Sequence, residues 1–176
     1  TAHLTVLDSA ALFVRHYGIP KSPEQVAADI NGLMERHYRT DVPLKAGARE
    51  VLERLRAAGV SMCVASSTSP RLIDACLRRL GVWDCFQFLL SAEEVGAGKD
   101  KPDIYLEAAR RLGSAPENTV VFEDVIFAAR TAKAAGFTVA AVYDDSSRDS
   151  QESLRETADF YLTRWDDPAL LEWLGL

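Results

Sequence analysis

Val120-Val121-Phe122-Glu123-Asp124 places two adjacent carboxylates at the end of a wholly apolar run. Two like charges held side by side are unfavourable without a cation. A hard divalent ion such as Mg2+, which takes oxygen ligands, resolves that repulsion. The competing reading is a helix N-cap by Asp124 with Glu123 in solvent. Lys99 lies in Gly96-Ala97-Gly98-Lys99-Asp100-Lys101-Pro102-Asp103, a glycine-flanked loop directly before a helix opened by proline. A lysine there can reach across the tips of strands; the ordinary alternative is a surface lysine. The loop is not a Walker A motif, because Glu93 occupies the slot of the first glycine and Asp100 replaces Ser/Thr. It is not a dinucleotide fingerprint either, since Lys101 stands where the third glycine belongs. Ser66-Ser67-Thr68-Ser69 precedes Pro70 and offers hydroxyls together with the free N–H groups of a helix N-terminus. Such a turn can cradle an anion, and it can equally be a simple cap. Hydroxyls, a cation and metal-binding carboxylates are together the parts needed to hold a phosphoryl group.

The elements that must carry these groups alternate regularly. An amphipathic helix is expected over Ala46–Ala57, closed by Gly59, and then a short apolar strand over Ser61–Ala65. A helix from Pro70 to Arg79, a strand near Phe86–Leu90 and a helix from Pro102 to Leu112 follow. Next come a strand at Thr119–Phe122, a helix from Val125 to Ala135, and strands at Thr138–Val142 and Phe160–Leu162. Asp144–Ser150 reads as a solvated acidic loop. Strands alternating with helices of this length predict an α/β fold with a doubly wound parallel sheet. In such sheets ligands bind outside the carboxyl ends of the strands, which is where Ser66, Lys99, Glu123 and Asp124 fall. Ahead of this region, Asp8 and Ser9 can cap a helix ending at Tyr17 and Gly18. Ser22-Pro23-Glu24-Gln25 is a capping box that opens a second helix towards Tyr38. Asp41-Val42-Pro43 reads as a joint between two units.

The composition agrees with a globular α/β chain: 176 residues, 48 % hydrophobic and 26 % charged, with a net charge of −6. An acidic chain with scattered Lys and Arg lacks the electrostatic footprint of a nucleic-acid binder. Its apolar runs are too short to span a membrane, and no signal peptide is visible in residues 1–20. Three cysteines (Cys63, Cys76, Cys85) without metal spacing read as reduced thiols of a cytoplasmic protein. The histidines His3, His16 and His37 read as surface or packing residues.

The order of these motifs resembles the haloacid dehalogenase (HAD) superfamily. Met62-Cys63-Val64-Ala65-Ser66 resembles its second motif, whose Ser or Thr binds the phosphate. Gly98-Lys99-Asp100-Lys101-Pro102-Asp103-Ile104-Tyr105 resembles its third, in which lysine steadies the nucleophile and the transferring phosphate. Phe122-Glu123-Asp124 resembles its fourth, the acidic Mg2+ site, although Val125 and Ala128 stand where the family usually has Ser and Gly. Pro43-Leu44-Lys45-Ala46-Gly47 resembles the point where the chain returns from the family's helical cap. The resemblance implies part of a helical cap over residues 1–42 and a Rossmann-like core over 43–176. It implies hydrolysis of a small phosphorylated metabolite through an aspartyl-phosphate, with Ser66, Ser67 and Lys99 binding phosphate. Asp124 and Glu123 would hold Mg2+. A phosphosugar mutase and a non-catalytic phosphate-binding relative are the alternatives.

The family's first motif, an apolar strand carrying Asp-x-Asp-Gly-Thr, has no counterpart in the 176 residues. Thr1 and His3 would stand where its aspartates belong. The chain is therefore expected to carry no nucleophile and to be inactive alone. It is also expected to lack the strand between those ending at Ser66 and Glu123. That position would be filled by a separate N-terminal segment, or else the two flanking strands would close on each other.

Overall fold

The computed structural model describes residues 6–176, so the readings for Thr1 and His3 lie outside the described residues. The chain divides into two compact units, Thr1–Val42 and Pro43–Leu176.

In the first unit, α1 (Val6–Tyr17) and α2 (Pro23–Thr40) form a helical pair. Helix α1 starts ahead of Asp8 and Ser9, which therefore do not cap it. Asp8 falls inside the first turn, where a carboxylate complements the helix dipole. The second helix opens with the capping box expected from its sequence. The Gln25 N–H donates to Ser22 Oγ, the Ser22 N–H donates to Gln25 Oε1, and Pro23 takes a first-turn position. Ala10, Val26 and Ala27 form the small buried core of this pair, flanked by Val14, Ile19 and Ile30.

The second unit alternates helices and strands: α3 (Ala48–Ala57), β1 (Val64–Ser66), α4 (Pro70–Arg79), β2 (Leu89–Ser91), α5 (Ala92–Val95) and α6 (Asp103–Leu112). It continues with β3 (Val120–Glu123), α7 (Ile126–Ala134), β4 (Thr138–Val142), α8 (Gln151–Thr157), β5 (Phe160–Leu162) and α9 (Pro168–Trp173). Among the described residues these strands make two parallel sheets, β1–β2 and β3–β4–β5. The period-2 side-chain alternation of the strands sorts them onto two faces. Cys63, Ala65, Val121, Val139, Ala141 and Tyr161 belong to a core built with α6, α7 and α8. The intervening Met62, Phe122, Val142, Phe160 and Leu162 belong to a second core built with α3 and α9. The β3–β4–β5 sheet therefore contributes to both hydrophobic layers, while β1 and β2 add Ala65 and Leu90 to the first, in keeping with a doubly wound α/β fold.

Strands β1 and β3 do not pair with each other. Of the two arrangements anticipated for this part of the sheet, direct closure is not made. Burial follows the pairing. β4, paired on both sides, has Val139, Ala140 and Ala141 at 0 % exposure, whereas β1 is half-buried throughout. The first strand is also shorter than expected, because Ser61–Cys63 precede the regular ladder; the Met62 carbonyl still accepts from the Gln87 N–H at 2.8 Å. Asp145–Ser150, anticipated as a loop, is a 3-10 helix whose start is capped when Asp144 accepts from the Ser146 N–H.

The entry to the core domain is sterically exacting. Gly47 has φ +81°, and a Cβ placed there would sit 2.5 Å from the backbone nitrogen of Asp166. Glycine is required for both reasons: a left-handed conformation and a close backbone approach.

Candidate functional site

Glu123 ends β3 and Asp124 begins the turn into α7, so the carboxylate pair sits at a strand's carboxyl end. The two carboxylates have different surroundings. Glu123 is 5 % exposed, in a position where an unpaired charge is costly. It is not unpaired. Lys99 Nζ donates to Glu123 Oε1, and the Tyr105 hydroxyl donates to the same oxygen at 2.9 Å. Asp124 is half-buried, and no hydrogen bond or ion pair to its carboxylate is made among the described residues.

The loop that delivers Lys99 is held at both ends. Ser91 accepts from the Glu94 N–H to start α5, and Gly96, at φ +74°, ends that helix and turns the chain back. Glu94 of α5 pairs with Arg111 of α6 at 2.7 Å, bridging the elements on either side of the loop. Lys99 thus reaches Glu123 from an anchored loop, and its side chain is 19 % exposed. Tyr105 comes from the first turns of α6 and is 3 % exposed, its ring tilted against Phe137 at 6.2 Å. The Lys99 ammonium lies 6.0 Å from the centroid of that ring, within cation–π range. Burial pushes the Tyr105 phenol pKa up, and the charge of Glu123, the hydrogen bond to it and the charge of Asp124 push the same way. The phenol is therefore a firm proton donor to Glu123.

Ser66 closes β1 in register with Ser91 of β2. Its hydroxyl accepts from the Thr68 N–H at 3.1 Å, which orders the turn before α4. Ser67 is exposed beside it. No hydrogen bond joins Ser66 or Ser67 to Lys99 among the described residues. Direct contact unites Lys99, Tyr105 and Glu123, with Asp124 next in sequence. The sequence motif included Tyr105 but assigned it no role. A usable signal was present: Ile104, Tyr105, Ala108 and Ala109 share the buried face of α6, and a buried tyrosine hydroxyl needs an acceptor.

No group of three or more His, Cys, Asp or Glu side chains able to hold a metal gathers among the described residues. Mg2+ is commonly held by one or two carboxylates, with waters and substrate phosphates completing its shell. Asp124, with a carboxylate not engaged by any of those residues, suits one place in such a shell. Glu123 Oε1 is already shared by an ammonium and a phenol. The three cysteines are free, and burial raises the Cys63 thiol pKa to about 11, keeping it protonated.

Fold and site together define a doubly wound α/β core with its polar groups at strand ends. A family model described as haloacid dehalogenase-like hydrolase matches residues 9–136. The chain belongs to that family. It is 27 % identical over 97 % of its length to a bifunctional riboflavin kinase/FMN phosphatase of Arabidopsis thaliana, covering 46 % of that protein. It is 38 % identical over 51 % of its length to a phosphorylated carbohydrates phosphatase of Thermotoga maritima, covering 42 % of it. The chain thus spans about half the length of these curated relatives. A crystal structure of a HAD family hydrolase from Deinococcus radiodurans, with bound phosphate and sodium, superposes with a TM-score of 0.76. That structure is 27 % identical and is matched over 97 % of this chain and 76 % of its own. No helix among the described residues is long and apolar enough to cross a membrane.

Proposed function

We propose that the protein carrying this chain hydrolyses a small phosphomonoester, in the cytoplasm, with Mg2+ as cofactor and through an aspartyl-phosphate. The observation that carries this reading is the lysine held against a buried glutamate at a strand's carboxyl end, one residue from a carboxylate without a partner among the described residues. Lys99 supplies fixed positive charge for the phosphoryl oxygens, an electrostatic contribution that requires no reorganisation during reaction. Ser66 and Ser67, at the N-terminus of α4, offer hydroxyl and N–H groups to the same phosphate. Asp124 is assigned to the metal, with Glu123 beside it. Mg2+, when bound, neutralises phosphate charge and orients the transferring group. Residues 1–42 are assigned to part of a helical cap. The nucleophile is assigned to an Asp-x-Asp segment outside this numbering, which also supplies a strand between β1 and β3. The chain by itself is accordingly inactive.

The phosphatase relatives support the reaction class, and the phosphate-bound Deinococcus structure supports an anion site in this fold. The test is p-nitrophenyl phosphate turnover by the protein carrying this chain. Lys99→Ala is expected to lower kcat/KM by about 10²–10³, the usual loss for one electrostatic stabiliser. Asp124→Asn should raise the Mg2+ concentration needed for half-maximal rate. Wild-type turnover by the Lys99 variant, with circular dichroism showing it folded, removes Lys99 from the mechanism, and absence of Mg2+-dependent turnover by the unaltered protein refutes the reading.

A further inference from the structure

We infer that Tyr105 is a positioning residue that acts through Glu123 to fix the Lys99 ammonium in a single place. The inference rests on the reading of Lys99 as the phosphate-binding cation, and it adds a residue to which that reading assigned nothing. Its basis is geometric. A lysine ammonium ends a flexible four-carbon stem and is not oriented by its own side chain. Here two groups confine it: the carboxylate oxygen that accepts its hydrogen bond, and the face of the Tyr105 ring 6.0 Å away. Both restraints come from one tyrosine. Its ring forms the second directly. Its hydroxyl, 2.9 Å from Glu123 Oε1, determines where the carboxylate sits, and so supports the first.

The tyrosine is in turn immobile. At 3 % exposure on the buried face of α6, and against Phe137, it has no room to change rotamer without disturbing the core. The arrangement thus transfers the rigidity of a helix packed in the core to a cation on a loop. Placing functional groups on rigid elements through hydrogen-bonded supports is how a site is held to the fraction of an ångström that catalysis needs. A purely structural role would need Tyr105 only to fill volume, and phenylalanine would do that equally well. The hydroxyl is what distinguishes the two.

Tyr105→Phe keeps the ring and removes that hydroxyl. In the chain labelled with 13C-lysine, a held Lys99 gives two non-equivalent Hε protons, and a freely rotating one gives a single averaged signal. The expected result is two signals in the wild type and their collapse in Tyr105→Phe, with the circular dichroism spectrum unchanged. Persistence of two signals in the variant overturns the inference, as does a wild-type spectrum already averaged.

Turnover of p-nitrophenyl phosphate by the protein carrying this chain gives a second measurement. Tyr105→Phe should lower kcat by about tenfold, with KM little changed, as loss of a hydrogen bond to a charged group permits. In a Lys99→Ala background the same substitution should have no further effect, because its route runs through that lysine. Equal losses in both backgrounds overturn the positioning role and leave the phosphatase reading intact. A Lys99→Ala enzyme with wild-type turnover removes Lys99 as the phosphate-binding cation, while the lysine spectrum still decides whether Tyr105 holds the ammonium.

Discussion

Replacing Glu123 with glutamine removes one charge from a buried pair and leaves its shape almost unchanged. The Glu123 side chain is 4 % exposed and that of Lys99 is 19 % exposed, so the variant leaves an ammonium that can partly recover its water. Removing one member of a fully buried pair costs about 3–5 kcal/mol. Two features reduce that figure here: the residual exposure of Lys99, and the glutamine oxygen that still accepts from the Tyr105 hydroxyl, a bond contributing about 1 kcal/mol. The expected loss is therefore about 2 kcal/mol, or about 4–8 °C in Tm for a chain of this length. Lys99→Met should cost more than Glu123→Gln, because it strands the more deeply buried of the two charges. Thermal unfolding followed by circular dichroism, with urea denaturation at 25 °C alongside, measures both. A loss below about 0.5 kcal/mol for Glu123→Gln, typical of a surface substitution, refutes the reasoning that this pair is desolvated. So does the reverse ordering of the two variants.

Gly47→Ala should destabilise the chain by at least about 2 kcal/mol in urea denaturation. It combines the left-handed backbone penalty with a Cβ 2.5 Å from a backbone nitrogen of Asp166, where no flexible side-chain end can give way. The hydrogen bonds of Asp144 to Lys45 and Ser146 hold its carboxyl pKa at about 2, below the ordinary 3.8. A depressed carboxylate pKa stabilises the fold above the unfolded value, and that contribution is lost as pH falls from about 4 to about 2. Both partners are partly solvated, so the contribution is under about 1 kcal/mol. Lys45→Met should lower the urea midpoint at pH 6 and converge on the wild type near pH 2. A constant difference across that range rules out the ion pair as its source.

The parts of this protein that could be read in advance are those specified over short stretches of chain. The expected bounds of β4 and β5, Thr138–Val142 and Phe160–Leu162, coincide with the observed ones. Each is a short apolar run punctuated by turn residues. The Ser22–Gln25 capping box was equally visible, since both of its hydrogen bonds join residues three apart. The placement of Ser66, Glu123 and Asp124 at strand ends follows from the same local periods. Short helices α5, α8 and α9 were not anticipated. Helices of four to seven residues do not stand on propensity alone, and α8 and α9 are held by Leu154 and Leu170, each at 0 % exposure in a core assembled from distant segments.

The division of labour within the carboxylate pair was also hidden. Adjacent in sequence, Glu123 and Asp124 look equivalent; a strand buries one and the turn that follows leaves the other half-open. Which groups meet Glu123 depends on residues 24 and 18 positions away, brought there by the packing of α6 and the anchoring of its preceding loop. The separation of β1–β2 from β3–β4–β5 was anticipated only through the family resemblance and not from the strands' own residues, since an apolar run records that it is buried without recording its neighbour. Periodicity and capping act between residues a few positions apart and leave their mark in the sequence. Pairing and desolvation act between segments that meet only when the chain is folded.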